Sequence, residues 1–217
     1  MNTLDFIEKF KVVAIVRKIY GNDLVCLAHA LCDGGIRMIE CTFDQRDSEC
    51  ITRTSESIKL LSDEFGDEMC FGAGTVLTAE QVDAACAAGA KYIISPNVNE
   101  KVISRTKELR LVSIPGAMTP TEILAAHDMG ADIVKLFPAA TLGVQYAKDI
   151  MAPISHVKLM ATGGVNENNF GQFMELGMIG AGVGGRLTDK SVIASGDFSV
   201  ITERARAFSR VVEKYSH

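Results

Sequence analysis

The sequence lacks any hydrophobic run long enough to cross a membrane. Its purest apolar run covers residues 12–16, whereas a membrane-spanning helix needs roughly 18 or more residues. The first residues, MNTLD, lack the basic start and the apolar middle of a secretory signal peptide. We therefore expect a cytoplasmic protein with no membrane partner.

Signals for metal, disulfide and nucleic-acid chemistry are also missing. The 4 histidines show no HExxH or other paired spacing, and the 6 cysteines include no CxxC and are typical of reduced, buried residues. The net charge of −5 comes from 22 basic and 27 acidic residues, and neither sign forms a block. We therefore expect no metal ion, no cofactor and no nucleic-acid partner.

A weak repeat organises the chain, in which a helical pattern ends at glycine and a short apolar strand follows. Glycine readily takes the left-handed conformation that stops a helix, and we expect this at the pair Gly34-Gly35 and at Gly89, Gly130 and Gly177. The candidate strands cover residues 12–17, 37–42, 69–73, 92–95, 111–114, 133–137, 157–161 and 179–183. Clear helical patterns cover residues 23–32, 48–64, 79–88, 120–128 and 168–176.

Eight strand–helix units predict a compact α/β fold, the (β/α)8 or TIM barrel, rather than an open doubly wound sheet. The strands are near-continuous apolar runs, as expected where both faces are covered. The 217 residues, 47% hydrophobic, suit a single domain over residues 1–217. We expect residues 2–10 to form a short capping helix across the barrel mouth and residues 198–215 to form the last helix.

Two charged residues interrupt the apolar strands. Lys135 lies within DIVKLFP, and burial of a lysine lowers its pKa and frees the amine to attack a carbonyl. Glu40 ends the strand MIECT, where a carboxylate can act as a general acid or base. The alternatives are a buried structural ion pair between the two residues, or a lysine that points between the barrel and its helices.

Further candidates lie at the ends of other strands. Glycine-rich turns follow the seventh and eighth strands, and such turns present N–H groups to phosphate in many barrels, although they also serve as plain tight turns. Arg186, next to the second turn, either supplies charge to a phosphate or is simply exposed. Arg17 either binds a carboxylate or phosphate or is solvated beside Lys18. Gly74 and Thr75 offer N–H groups and a hydroxyl to a small carboxylate or carbonyl.

In this order the motifs resemble those of the class I pyruvate aldolases of the 2-keto-3-deoxy-6-phosphogluconate / 2-keto-3-deoxy-6-phosphogalactonate family. The resemblance covers nearly the whole chain, and GAGTVL (residues 72–77) and VKLFPA (residues 134–139) are specific together. It implies that Lys135 forms a Schiff base with the substrate's C2 carbonyl and that Glu40 moves protons by way of water. Cleavage of C3–C4 would then release glyceraldehyde 3-phosphate and leave an enamine of pyruvate. The protonated imine serves as the electron sink, so no metal is required.

The resemblance also implies roles for the other candidates. Thr75, with the backbone at Gly74, matches the contact to the pyruvate carboxylate, and Arg17 matches the strand-one arginine. Phe137 and Pro96 match the walls of the family's substrate pocket. The family's phosphate-binding loop is matched by Gly163, Gly164, Gly184 and Gly185. Because family members are commonly trimers, we expect a homotrimer that binds a small phosphorylated 2-keto acid.

Several positions depart from the gluconate branch of that family. Asp44 stands where the branch carries an arginine for the substrate carboxylate. Because an acid there repels a carboxylate, either Arg46 takes over the contact or the substrate differs. Gly185 stands where the branch has a phosphate-binding serine, whereas Asn97 and residues 142–146 are more similar to the galactonate branch.

Three other functions stay open at this point. A phosphosugar isomerase or epimerase would use paired carboxylates, often with a metal, which these strand ends do not supply. A non-catalytic phosphosugar-acid binder is suggested by Asp44, but a binder gains nothing from a buried Lys135. A 4-hydroxy-2-oxoglutarate aldolase needs no phosphate site, and the glycine-rich turns favour a phosphorylated substrate instead.

Overall fold

The computed structural model describes residues 1–215, over which short strands alternate with helices. The strands are β1 (Val12–Val16), β2 (Met38–Thr42), β3 (Cys70–Gly74), β4 (Tyr92–Ile94), β5 (Val112–Ile114), β6 (Gly116–Ala117), β7 (Val134–Leu136), β8 (Leu159–Thr162) and β9 (Gly180–Val183). The helices are α1 (Thr3–Phe10), α2 (Gly21–Asp33), α3 (Cys50–Phe65), α4 (Ala79–Ala87), α5 (Glu100–Glu108), α6 (Pro120–Asp128), α7 (Ala139–Leu142), α8 (Val144–Met151), α9 (Phe170–Glu175), α10 (Lys190–Ser195) and α11 (Ser199–Lys214). Within residues 1–215, no helix is both long and apolar enough to span a bilayer.

The strands pair in parallel and form a barrel. Their order in the sheet is β5-β4-β3-β2-β1-β9-β8-β7-β6, and its two ends, β5 and β6, are separated in the chain by Pro115 alone. Backbone N–H groups of Asp132 and Ile133 donate to the carbonyl of Ser113, and that of Lys135 donates to Pro115 over 2.9 Å. These bonds join the divided strand to β7 and all but close the sheet. The predicted (β/α)8 barrel is confirmed, with its fifth strand interrupted by a proline that lacks the N–H of a ladder.

Sequence signals also explain where several helices begin and end. At the start of α6, the Glu122 N–H donates to the Thr119 hydroxyl, and the Thr119 N–H donates to the Glu122 carboxylate, which together make a capping box. Four of the helix-ending glycines predicted from the repeat have φ angles between 88° and 102°. A side chain disfavours this region, so glycine there lets the chain turn from each helix into the next strand.

The barrel has an inner core distinct from the core beneath its helices. The inner cluster contains Val13, Met38, Tyr92 and Met160, which lie near the starts of their strands. Helix α1 packs Ile7, fully buried, into this cluster. The predicted capping helix therefore exists, but it closes the end at which the strands begin, because its apolar face completes the inner core there. The opposite end stays open.

Candidate active site

Side-chain alternation along the strands turns three polar residues into the open end of the barrel. Met38 in β2, Met160 in β8 and Ile133 just before β7 belong to the inner core. Glu40, Thr162 and Lys135 each follow one of these residues by two positions, so their side chains point inward as well. All three are buried: Lys135 is 5% exposed, Thr162 4% and Glu40 2%. Lys135 therefore does not point between the barrel and its helices.

The electrostatics of the site push its lysine and its carboxyl toward their neutral forms. Burial lowers the pKa of Lys135, an effect that the charge of Glu40 opposes and the charge of Arg17 reinforces. Burial raises the pKa of Glu40, and the charges of Lys135 and Arg17 oppose that rise. No salt bridge joins Glu40 to Lys135 in the described structure, so the alternative of a structural ion pair does not hold.

A cavity of about 390 Å³ opens above Lys135. It is lined by most of the residues predicted from the sequence, namely Lys135, Arg17, Phe137, Gly163, Gly164, Gly184 and Gly185. The side-chain nitrogen of Lys135 lies 5.0 Å from the centre of the Phe137 ring. The Arg17 guanidinium has no ion-pair partner among residues 1–215, so its charge is available to an anion in the cavity.

The two glycine-rich turns form part of the wall of this cavity. Gly163 and Gly164 have φ angles of 93° and 73°, and the carbonyl of Gly164 accepts a hydrogen bond from the Asn169 amide over 3.1 Å. Gly185 faces open space. Arg186 also lines the cavity, but its guanidinium is paired with the carboxylate of Glu167. Its charge is thus partly satisfied within the protein, unlike that of Arg17.

Besides Glu40, three predicted residues lie beside the cavity rather than on its wall. Gly74 packs against Glu40 so closely that a Cβ at Gly74 would overlap a carboxylate oxygen of Glu40. Thr75 follows at once, in a left-handed conformation with φ of 57°. The backbone of Pro96 lies against Gly116 of β6. These contacts place all three at the same open end of the barrel.

Asp44, the acid at the position of the gluconate branch's arginine, forms an ion pair with Lys18. A carboxylate oxygen of Asp44 lies 2.6 Å from the Lys18 ammonium, and this hydrogen bond lowers the pKa of Asp44. The Arg46 side chain is exposed and does not line the cavity. This geometry gives no support to the expectation that Arg46 takes over the substrate contact of the arginine missing at position 44.

Thr162 was not among the residues selected from the sequence. Its hydroxyl is the one fully buried side-chain N or O atom in residues 1–215 that has no hydrogen-bond partner, and the residue lines the cavity. The signal was present, because Thr162 is a polar residue at the end of an apolar strand, two positions after the inner-core residue Met160. An unmatched buried hydroxyl is unfavourable, so a ligand group is the natural partner.

Comparisons with known proteins show which proteins this chain resembles as a whole. A family model described as KDPG and KHG aldolase matches residues 4–204. The 2-dehydro-3-deoxy-6-phosphogalactonate aldolase of Escherichia coli is 34% identical over 180 residues, covering 82% of this chain and 85% of the relative. The 2-dehydro-3-deoxy-phosphogluconate aldolase of Treponema pallidum is also 34% identical, over 95% of both chains.

A solved structure extends the similarity to three dimensions. The KDPG aldolase of Legionella pneumophila, with pyruvate captured as a covalent carbinolamine intermediate, superposes with a TM-score of 0.80 at 29% identity. The match covers 93% of this chain and 95% of the Legionella chain. The barrel described above is therefore shared over almost its whole length.

Proposed function

This chain belongs to the KDPG and KHG aldolase family and is a class I aldolase, and we propose that it cleaves a 2-keto-3-deoxy-6-phospho sugar acid to pyruvate and glyceraldehyde 3-phosphate. The observation that carries the proposal is Lys135, a buried lysine without a salt bridge in the described structure, at the foot of a cavity whose wall is built of glycine-rich turns. The substrate is of the gluconate or galactonate type, the two types named by the relatives above.

The first step is formation of the Schiff base. The lowered pKa of Lys135 increases the fraction of neutral amine, which attacks the C2 carbonyl of the substrate. The resulting carbinolamine loses its hydroxyl as water when Glu40, acting through a water molecule, supplies a proton. The carbinolamine captured in the Legionella relative supports this step.

The second step is cleavage of the carbon chain. Glu40, now a carboxylate, accepts the proton of the C4 hydroxyl by way of water, and the C3–C4 bond breaks. Its electron pair moves into the protonated imine, which becomes an enamine, and the aldehyde leaves. Protonation of the enamine at C3 and hydrolysis of the imine release pyruvate and restore the Lys135 amine.

The glycine-rich part of the cavity wall suits a phosphate. It contains Gly163, Gly164, Gly184 and Gly185, whose backbones a phosphate can approach closely. The unpaired charge of Arg17 adds an electrostatic contribution. These features favour a phosphorylated acid over 4-hydroxy-2-oxoglutarate, which remains the second candidate because the family name includes it. Family membership argues against an isomerase, and the presence of both buried Lys135 and buried Glu40 argues against a non-catalytic binder.

The decisive experiment is reduction with borohydride in the presence of pyruvate, read by intact mass and peptide mapping. We expect one stable adduct on Lys135, absent from Lys135→Ala. Lys158→Ala is the matched control, because Lys158 precedes β8 at the closed end of the barrel and pairs with Glu8. A folded protein without an adduct at any pyruvate concentration would overturn the proposal. An adduct on another lysine would keep the chemistry and refute the assignment of Lys135.

Cleavage assays then determine the substrate. We expect turnover of at least one of the two phosphorylated epimers and weaker turnover of 4-hydroxy-2-oxoglutarate. Equal efficiency on the unphosphorylated acid would contradict a phosphate site in the glycine-rich turns. We also propose a homotrimer in the cytoplasm, which sedimentation equilibrium and cell fractionation would test.

A further inference from the structure

A chain of side-chain amides holds the turn that follows β3. The Gln45 amide nitrogen donates to the carbonyl of Thr75 over 2.8 Å, and the Gln45 amide oxygen accepts from Gln81 over 3.0 Å. The amide oxygen of Gln81 in turn accepts the N–H of Leu77 over 2.7 Å. Both amide orientations are therefore set by their partners, and the network connects the β2–α3 loop to both sides of the turn.

The residue that this network holds has an unfavourable backbone. Thr75 has φ of 57°, and it is the only β-branched residue among the four non-glycine residues with positive φ in residues 1–215. A left-handed conformation is unfavourable for a residue with a Cβ, and it persists where surrounding contacts fix it. The flanking residues are fixed by backbone hydrogen bonds, from Phe43 to the Gly74 carbonyl and from Val76 to the Ile94 carbonyl. The Thr75 carbonyl depends on Gln45 instead.

The polar groups of Thr75 that could meet a ligand are free. Neither its N–H nor its hydroxyl has a hydrogen-bond partner in the described part of the chain. The carbonyl, which would repel a carboxylate, is the group that Gln45 occupies. Next to Thr75, Gly74 lies against Glu40. The turn thus presents donors at the open end of the barrel while its acceptor is held by the glutamine.

We propose that Gln45 is a positioning residue for the pyruvate carboxylate. By holding the Thr75 carbonyl it keeps Thr75 left-handed, and the free N–H and hydroxyl of Thr75 receive the carboxylate. Gln45 itself does not touch the substrate. This inference rests on the proposed function, because it assumes that pyruvate is the group held beside Lys135.

The first test is the concentration of pyruvate that half-saturates borohydride trapping on Lys135. We expect Gln45→Ala to raise it about tenfold, the effect of losing one hydrogen bond, while the trapping rate at saturation changes little. Ser48→Ala is the matched control, because Ser48 is exposed in the same loop and its side chain has no hydrogen-bond partner in residues 1–215. A uniform loss of rate with unchanged half-saturation would refute a positioning role.

A double-mutant cycle tests whether Gln45 acts through Thr75. Glycine takes the left-handed conformation without strain, so Gln45→Ala should weaken pyruvate binding less in a Thr75→Gly background than in the wild type. Equal effects in both backgrounds would show that Gln45 acts by another route. Gln81→Glu keeps the acceptor for the Leu77 N–H but removes the donor to Gln45. We therefore expect it to weaken pyruvate binding, though less than Gln45→Ala does.

A structural readout separates this inference from the proposed function. The intraresidue NOE between HN and Hα of Thr75, measured by NMR without ligand, reports the sign of its φ angle, because the two protons are closer at positive φ. We expect a strong NOE in the wild type and a weaker one in Gln45→Ala. If the wild type forms no adduct but the NOE changes, the proposed function fails and Gln45 still positions Thr75. If adducts form and the NOE is identical in both proteins, the inference fails and the function stands.

Discussion

Glu40 and Lys135 are both buried on the inner face of the barrel, yet they form no salt bridge with each other in residues 1–215. A direct ion pair would hold the lysine protonated and the glutamate ionised. Instead, burial lowers the pKa of Lys135 and raises that of Glu40, while each charge still moderates the other. The absence of a salt bridge favours a neutral Lys135 amine, which can act as a nucleophile, and a Glu40 carboxyl group that can exchange a proton.

Two substitutions should shift the pH dependence of adduct formation in opposite directions. The neutral amine reacts, so the trapping rate with pyruvate rises with pH through the pKa of Lys135. Glu40→Gln removes a charge that raises this pKa, so the midpoint should move to lower pH. Arg17→Met removes a charge that lowers it, so the midpoint should move to higher pH. The measurement is trapping rate against pH by intact mass, and shifts in the same direction would contradict this account.

Thr162→Val should leave the empty protein as stable as the wild type or more stable. The Thr162 hydroxyl has no partner, and an unsatisfied buried polar group costs about 1–3 kcal/mol. We nevertheless expect kcat/KM for cleavage to fall roughly tenfold or more, because valine cannot form the hydrogen bond that the Thr162 hydroxyl offers to a substrate hydroxyl. Thermal denaturation and steady-state kinetics measure the two effects.

Thr42→Val provides the matched control for that experiment. Thr42 is also buried, but its hydroxyl donates to the carbonyl of Val16 over 3.0 Å. Its replacement should therefore destabilise the fold by about 1–2 kcal/mol. A loss of stability in Thr162→Val as large as that in Thr42→Val would show that the Thr162 hydroxyl has a partner within the protein.

The pairing of Lys18 with Asp44 predicts a non-additive effect on substrate affinity. Lys18→Met leaves the Asp44 charge uncompensated at the open end of the barrel and should raise the KM for an acidic substrate by roughly two- to fivefold. The double variant with Asp44→Asn should return KM toward the wild-type value. The effect should weaken as salt is added, because both groups are solvent-accessible. Additive effects would show that the pair does not face the substrate.

Much of the barrel could be predicted because its signals are local. Apolar runs, capping residues such as Thr119 and the helix-ending glycines specify strands and helices within a few residues of themselves. The two interior charges, Lys135 and Glu40, were visible because each interrupts an apolar strand. The strand divided by Pro115 was not predicted as divided, since its ladder depends on neighbours distant in sequence.

The site was predicted less completely than the fold, because its contacts join residues that are distant in sequence. Thr162 became a candidate only when burial showed its hydroxyl without a partner. From the sequence, Asp44 is expected to repel the substrate, whereas in the structure Lys18, 26 positions earlier, lies beside it. The support of Thr75 by Gln45, 30 positions earlier in the chain, was invisible in the sequence. Each of these contacts joins residues that only the barrel brings together.

The sequence by itself determined the succession of strands and helices and the identity of the chemically unusual residues, because hydrophobic periodicity and local turn chemistry act between near neighbours. The tertiary structure decided which end of the barrel α1 closes, that Glu40 and Lys135 are both buried without a salt bridge between them, and which polar groups are left unsatisfied in residues 1–215. These properties depend on burial and on distances across the barrel, and both arise only when the strands are closed into one sheet.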